Sequence, residues 1–170
     1  EPLSRIPTPG IQTKMSLESA LGSVVKIISG KSSGTGVIVH PDGFVASCAH
    51  VLEESDEIEV WFPSGYSSDG EVVARDETSD VALIRCRGVR DAKTVEFCPT
   101  SKVALGDPVI AAGFPSKEDG NQFKPSITHG FIRGLARSED HSIIRSDAEV
   151  RPGFSGGALF DQDGLMLGMV

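Results

Sequence analysis

Cysteine is scarce in this 170-residue sequence: Cys48, Cys86 and Cys98 are an odd and widely spaced three, too few for a disulfide framework. None forms a C-x-x-C pair, which argues against zinc, and all three read as buried thiols acting as small apolar side chains. No apolar run approaches the roughly 18 residues that span a bilayer. The amino end lacks a signal-peptide pattern, although a processed chain would have lost one, so this absence excludes little. Clustered positive charge is missing too. Sixteen Lys and Arg stand scattered against 24 Asp and Glu, for a net charge of −8, whereas a nucleic-acid partner requires grouped cations. Neither repeats nor low-complexity tracts occur. Gly30-Lys31-Ser32 ends like a phosphate-binding loop, but such a loop needs a glycine five residues before Gly30, where this chain has Val25.

What is present is a globular composition, 39% hydrophobic and 24% charged, on a chain long enough for one sizeable domain or two half-domains sharing a seam. Residues 1–15 hold three prolines and no apolar period, which predicts an extended arm. Ser16 to Gly22, SLESALG, predicts a short helix with Ser16 as N-cap and Leu17 and Leu21 on one face. Beyond it the chain breaks into eleven short apolar runs: SVVKIIS, TGVIVH, GFVAS, EIEVWF, EVVARD, VALIRC, PVIAAG, SITHGFIRGLA, SIIRSD, GALF and LMLGMV. Such spacing predicts an all-β barrel or sandwich. HPDG at 40–43 and DQDG at 161–164 read as hairpin turns, and FPSKEDGNQFKPS at 114–126 is the one long polar connection.

The chemistry concentrates in RPGFSGGALF, residues 151–160, where one hydroxyl sits among three glycines, after a proline turn and before an apolar strand. Glycine there serves an ordinary turn, or it lets backbone N–H groups converge beside Ser155. A serine attacks nothing until a base takes its proton. Of the four histidines, His40 beside a turn, His129 within a strand pattern and His141 in a charged loop all have ready structural readings. His50 follows the strand GFVASCA, at a rigid strand end that can face a cleft. Asp80, in TSDVALI, stands at the mouth of an apolar strand, where a carboxylate is costly unless paired; taken alone it reads as an Asx turn or a strand-edge charge. A carboxylate is also what would hold His50 in one tautomer.

With these residues in place the chain resembles the chymotrypsin-like serine proteases, and within them the HtrA/Deg group. The likeness runs over about residues 20–170. Its carriers are SSGTGVIVHPDGFVASCAHVL, DETSDVALIRC, ALGDPVIAAGFPS, SITHGFIRGLA and SDAEVRPGFSGGALFDQDGLMLGMV, in the family's order. The resemblance implies two packed six-stranded antiparallel β-barrels, the first over about 23–98 and the second over about 103–170, within a protease domain spanning 16–170. It implies a catalytic triad of His50, Asp80 and Ser155, an oxyanion hole from the N–H groups of Gly153 and Ser155, and substrate-pocket candidates Glu149, Arg151 and Phe154. Glu149 has the alternative reading of an exposed loop glutamate. A polypeptide substrate is implied, with no cofactor, no metal and an extracytoplasmic site.

Several features depart from that pattern. Phe154 stands where trypsin-like zymogens carry an aspartate that pairs with a new amino terminus, so activation by such cleavage is not expected. Residues 1–30 contain no Phe, Tyr or Trp, which removes the aromatics through which the group forms trimers. The SEDH loop after GFIRGLAR is short, and the segment that follows the last family strand is expected to be missing after Val170. The expected function is therefore an HtrA-like serine endopeptidase acting on unfolded or extended polypeptide, with a protease-fold peptide-binding or chaperone-like module of incomplete cleft as the alternative.

Overall fold

A computed structural model describes residues 16–52, 57–116, 123–138 and 141–170. The expected arm at 1–15 lies outside the described residues, as do 117–122 of the long polar connection and 139–140 of the SEDH loop. Helix α1 (Leu17–Leu21) forms as its cap predicts, with the Ser16 hydroxyl accepting the Ser19 N–H at 3.2 Å. Five residues make little helix alone. It is held because Ala20 is wholly buried and Leu17 and Leu21 pack beside it.

The next six strands are β1 (Val24–Ser29), β2 (Ser32–His40), β3 (Phe44–Ser47), β4 (Ile58–Trp61), β5 (Ser67–Asp76) and β6 (Val81–Cys86). They close into a barrel in the order β1-β2-β3-β6-β5-β4, every neighbouring pair antiparallel. Closure removes free strand edges. The interior is filled by Val25, Ile27, Ile38, Val45, Val60 and Ile84, each at most 1% exposed, and each worth roughly 1.5–3 kcal/mol of burial. Gly30-Lys31 forms the tight link between β1 and β2, consistent with a hairpin in place of a phosphate loop. The HPDG turn closes through a Gly43 N–H to His40 carbonyl bond of 3.1 Å, and Gly43 carries the positive φ of 85°.

The remaining strands are β7 (Glu96–Phe97), β8 (Pro108–Gly113), β9 (Ser126–Arg137), β10 (Ser142–Ser146), β11 (Ala158–Phe160) and β12 (Leu165–Met169). They form a six-stranded sheet ordered β10-β9-β8-β11-β12-β7. The sheet differs from the expected closed antiparallel barrel in two ways. Its edges β7 and β10 do not pair with each other among the described residues, and β7 runs parallel to β12. Strand β7 is also the twelfth strand, absent from the eleven apolar runs: it is two exposed residues long, too short to carry any alternation. It lies in the connection between the two units, which passes along β12 in β12's own direction.

A cluster of Val24 and Val37 from the barrel with Ala112, Phe114, Ala158, Phe160 and Met166 from the second sheet joins the two units. Cys48 and Cys86 are buried, Cys98 is partly so, and all three thiols are free. Burial pushes the Cys86 thiol up to about 12. No helix among the described residues is long and apolar enough to cross a membrane.

Candidate active site

His50 and Asp80 meet because strand pairing continues past the barrel's end. Strands β3 and β6 run antiparallel with Ser47 opposite Ala82, and two more residues along each chain bring Ala49 opposite Asp80. The Ala49 N–H duly donates to the Asp80 carbonyl at 3.1 Å. Here the chain after β3 tightens into a single 3₁₀ turn, Ala49–Val51, which presents His50. Its backbone N–H donates to Asp80 Oδ1 at 2.9 Å, and its Nδ1 lies 2.6 Å from Asp80 Oδ2. Both carboxylate oxygens are thus committed to one histidine.

Asp80 reaches that position in a left-handed backbone conformation, φ 54°, which aspartate tolerates better than most side chains. The turn before it is built by Asp76, whose carboxylate accepts the N–H groups of Thr78 and Ser79 and the Ser79 hydroxyl. Burial acts to raise the Asp80 carboxyl. The backbone and ring N–H groups of His50, its charge and the Ala49 N–H outweigh that and hold it below the usual 3.8. A carboxylate that stays ionised beside imidazole Nδ1 fixes the tautomer that leaves Nε2 free to accept a proton.

Ser155 comes from the second unit, yet its loop is bonded to the barrel strands that lead to His50. Its carbonyl accepts the Thr35 N–H at 2.9 Å. The next residue, Gly156, has φ 85° and lies so close to β2 and β3 that an added Cβ would sit 2.1 Å from the Thr35 carbonyl oxygen and 2.3 Å from Ser47 Oγ. No other residue fits there. Gly156 and Gly157 extend the β11–β12 pairing, exchanging N–H and carbonyl bonds with Val170, each 2.9 Å.

The carbonyls of the loop are fastened one after another. Arg151 accepts from the Phe154 N–H at 3.0 Å, Pro152 from Ser116 at 2.9 Å and Phe154 from Gly157 at 2.8 Å, while Gly153 accepts the Thr35 hydroxyl at 2.7 Å. By contrast, the N–H groups of Gly153 and Ser155 donate to no acceptor among the described residues. Two unengaged donors with one residue between them suit a developing oxyanion. Gly153 has φ 101°, and a Cβ there would collide with the Phe114 carbonyl oxygen at 2.3 Å.

The three pocket candidates separate. Phe154 is wholly buried, packed with Val109, Ala111, Ile132, Ala148 and Leu159, so its ring anchors the loop in the core and faces no cleft; this corrects its expected place in the substrate pocket. Glu149 and Arg151 are solvated and pair with each other, Nε to Oε1 at 3.1 Å. His40 lies edge-on to Phe44 and accepts the Asp42 N–H, His129 is an exposed residue of β9, and the His141 backbone closes a turn with Ser138.

Cys48, His50 and Asp80 bring donor atoms within 4.8 Å of one another. His50 and both Asp80 oxygens are already bonded to one another, and burial and the Asp80 charge push the Cys48 thiol up to about 11. Sequence reasoning overlooked Thr35, Ser47 and Ser116. A signal existed for the first: a hydroxyl between two glycines, Gly34 and Gly36, just before the apolar run of Val37, Ile38 and Val39, marks a place where another backbone comes close.

Residues 34–169 match the family described as trypsin-like peptidase domain. Serine protease Do-like HtrA of Lactobacillus helveticus is 29% identical over 147 residues, covering 81% of this chain and 35% of the relative. A probable periplasmic serine endoprotease DegP-like of Pseudomonas fulva is 31% identical over 143 residues, 82% of this chain and 29% of the relative. The chain thus spans about a third of the length of these relatives. Among solved structures, the HtrA-type protease AlgW with tripeptide superposes with a TM-score of 0.80 at 25% identity, over 91% of this chain and 53% of that one.

Proposed function

Since the chain belongs to the trypsin-like peptidase family, we propose that it is a serine endopeptidase of the HtrA type, cleaving unfolded or extended polypeptides through Ser155, His50 and Asp80. The observation that carries this reading is the doubly bonded His50–Asp80 pair standing on the same barrel strands to which the Ser155 loop is tied. In the reaction, Ser155 Oγ attacks the peptide carbonyl carbon as its proton passes to His50 Nε2. The carbonyl oxygen becomes an oxyanion that takes hydrogen bonds from the Gly153 and Ser155 N–H groups. His50 then gives its proton to the departing amine, leaving an acyl-enzyme, and activates a water that releases the acid. Asp80 stays ionised throughout and stabilises the imidazolium. Every proton moves between this chain's own groups, substrate and water.

The relative named as periplasmic supports an extracytoplasmic site for this chain. Substrate class is tested with casein, which is unfolded, against a compact globular protein of similar size. Casein is expected to yield internal fragments by mass spectrometry while the compact protein survives. Capture of casein without fragments would move the reading to the peptide-holding module.

A further inference from the structure

In a trans peptide the C=O and the following N–H point in opposite directions. The two N–H groups assigned to the oxyanion, those of Gly153 and Ser155, are therefore aimed by the carbonyls of Pro152 and Phe154. The Phe154 carbonyl is fixed within its own loop by Gly157. The Pro152 carbonyl depends on Ser116, a residue of a different segment, whose N–H meets it at 2.9 Å. Gly153 itself offers no resistance to rotation of that peptide, since glycine occupies either sign of φ readily. Its orientation has to be imposed from outside the loop.

Thr35 is placed to impose it. The residue is wholly buried and all its polar groups are engaged. Its hydroxyl donates to the Gly153 carbonyl at 2.7 Å and accepts the Phe114 N–H at 2.9 Å. Its N–H donates to the Ser155 carbonyl, and its own carbonyl accepts the Ser47 hydroxyl at 2.7 Å. One side chain thus joins the anion-binding loop at Gly153 to the segment that, two residues after Phe114, carries the Ser116 donor. Ser47 fixes Thr35 in turn, three residues before His50. Resting on the protease reading above, we propose that Thr35 is a positioning residue: its hydroxyl fixes the Gly153–Phe154 peptide through the Gly153 carbonyl and, through the Phe114 N–H, the segment whose Ser116 N–H holds the Pro152 carbonyl, so that the Gly153 N–H faces the substrate and the oxyanion hole is formed before substrate arrives.

Thr35→Val keeps the shape and removes the hydroxyl, leaving the Gly153 carbonyl and the Phe114 N–H without their partner; Thr35→Ser keeps the hydroxyl. With a peptide amide substrate, Thr35→Val is expected to lower kcat by about 10²-fold, in the range of a lost oxyanion donor, with KM changed less than about threefold. Affinity for a peptide boronate, whose tetrahedral form sits in the hole, should fall in parallel while affinity for the product peptide holds. Thr35→Ser should recover most of the rate. A merely structural role would lower the active fraction and leave the two affinities in proportion. Should Thr35→Val not fold, judged by circular dichroism, Ser116→Pro at an exposed position removes the partner donor and should give the same kcat loss. Unchanged kcat and boronate affinity in folded Thr35→Val, or in Ser116→Pro, overturns the clamp while wild-type turnover still stands. A wild-type protein with no Ser155-dependent turnover overturns the protease reading, and the clamp with it.

Discussion

Ser155→Ala and His50→Ala are each expected to remove on the order of 10⁶ of kcat for peptide hydrolysis, and the double variant to lose no more than either alone. In the proposed mechanism the two side chains act as one unit: without His50 the hydroxyl keeps its proton, and without the hydroxyl the imidazole has nothing to activate. Stability should barely change. Ser155 is only half-buried and is held through its carbonyl, while the His50 ring is 57% exposed, so neither substitution opens a core. Steady-state rates on one substrate, with thermal melts of the three variants alongside, check this. Additive losses would mean that the residues act separately.

Asp80→Asn is expected to cost about 10⁴ in kcat with the fold kept. Asparagine tolerates the left-handed φ of 54° and can still accept the His50 backbone N–H with its amide oxygen. What it presents to Nδ1 in place of Oδ2 is an amide donor, which favours the wrong tautomer. The pH behaviour follows from the same bonds. The Asp80 carboxyl lies below its ordinary 3.8 in the folded protein, so its contribution to stability is complete above that value and fades as pH falls through the folded value. Acid-side loss of stability should therefore begin only below about pH 4, shared with Asp147, which the Phe131 N–H and Arg133 likewise hold low. Melting temperature against pH would test this: in Asp80→Asn the share of the acid-side loss due to Asp80 disappears. An Asp80→Asn enzyme with near-normal kcat would remove the carboxylate from the mechanism.

Much of this site is legible in the sequence because it is written locally. Asp-Gly turns, the cap at Ser16 and the short apolar runs that form β1 to β6 each depend on neighbours in the chain. RPGFSGG reads locally as an ordinary turn or as converging N–H groups, and the close approach of Ser47 to Gly156 is what the structure adds. Less legible is what depends on distant partners. Phe154 reads as a residue beside the nucleophile, but its burial is decided by Val109 and Ile132, more than twenty residues away. The parallel strand β7 exists only because Leu165 and Met166 lie beside it. Thr35 looks like one hydroxyl in a glycine-rich strand, and its bond to Gly153 spans 118 residues.

The central claim is that His50, held by Asp80, makes Ser155 a nucleophile. A fluorophosphonate reacts covalently with such a serine and with little else, so intact mass followed by peptide mapping reads the claim directly. One adduct per chain on Ser155, lost in His50→Ala, is the expected result. A folded protein that takes up no label, or takes it up equally without His50, contradicts the account.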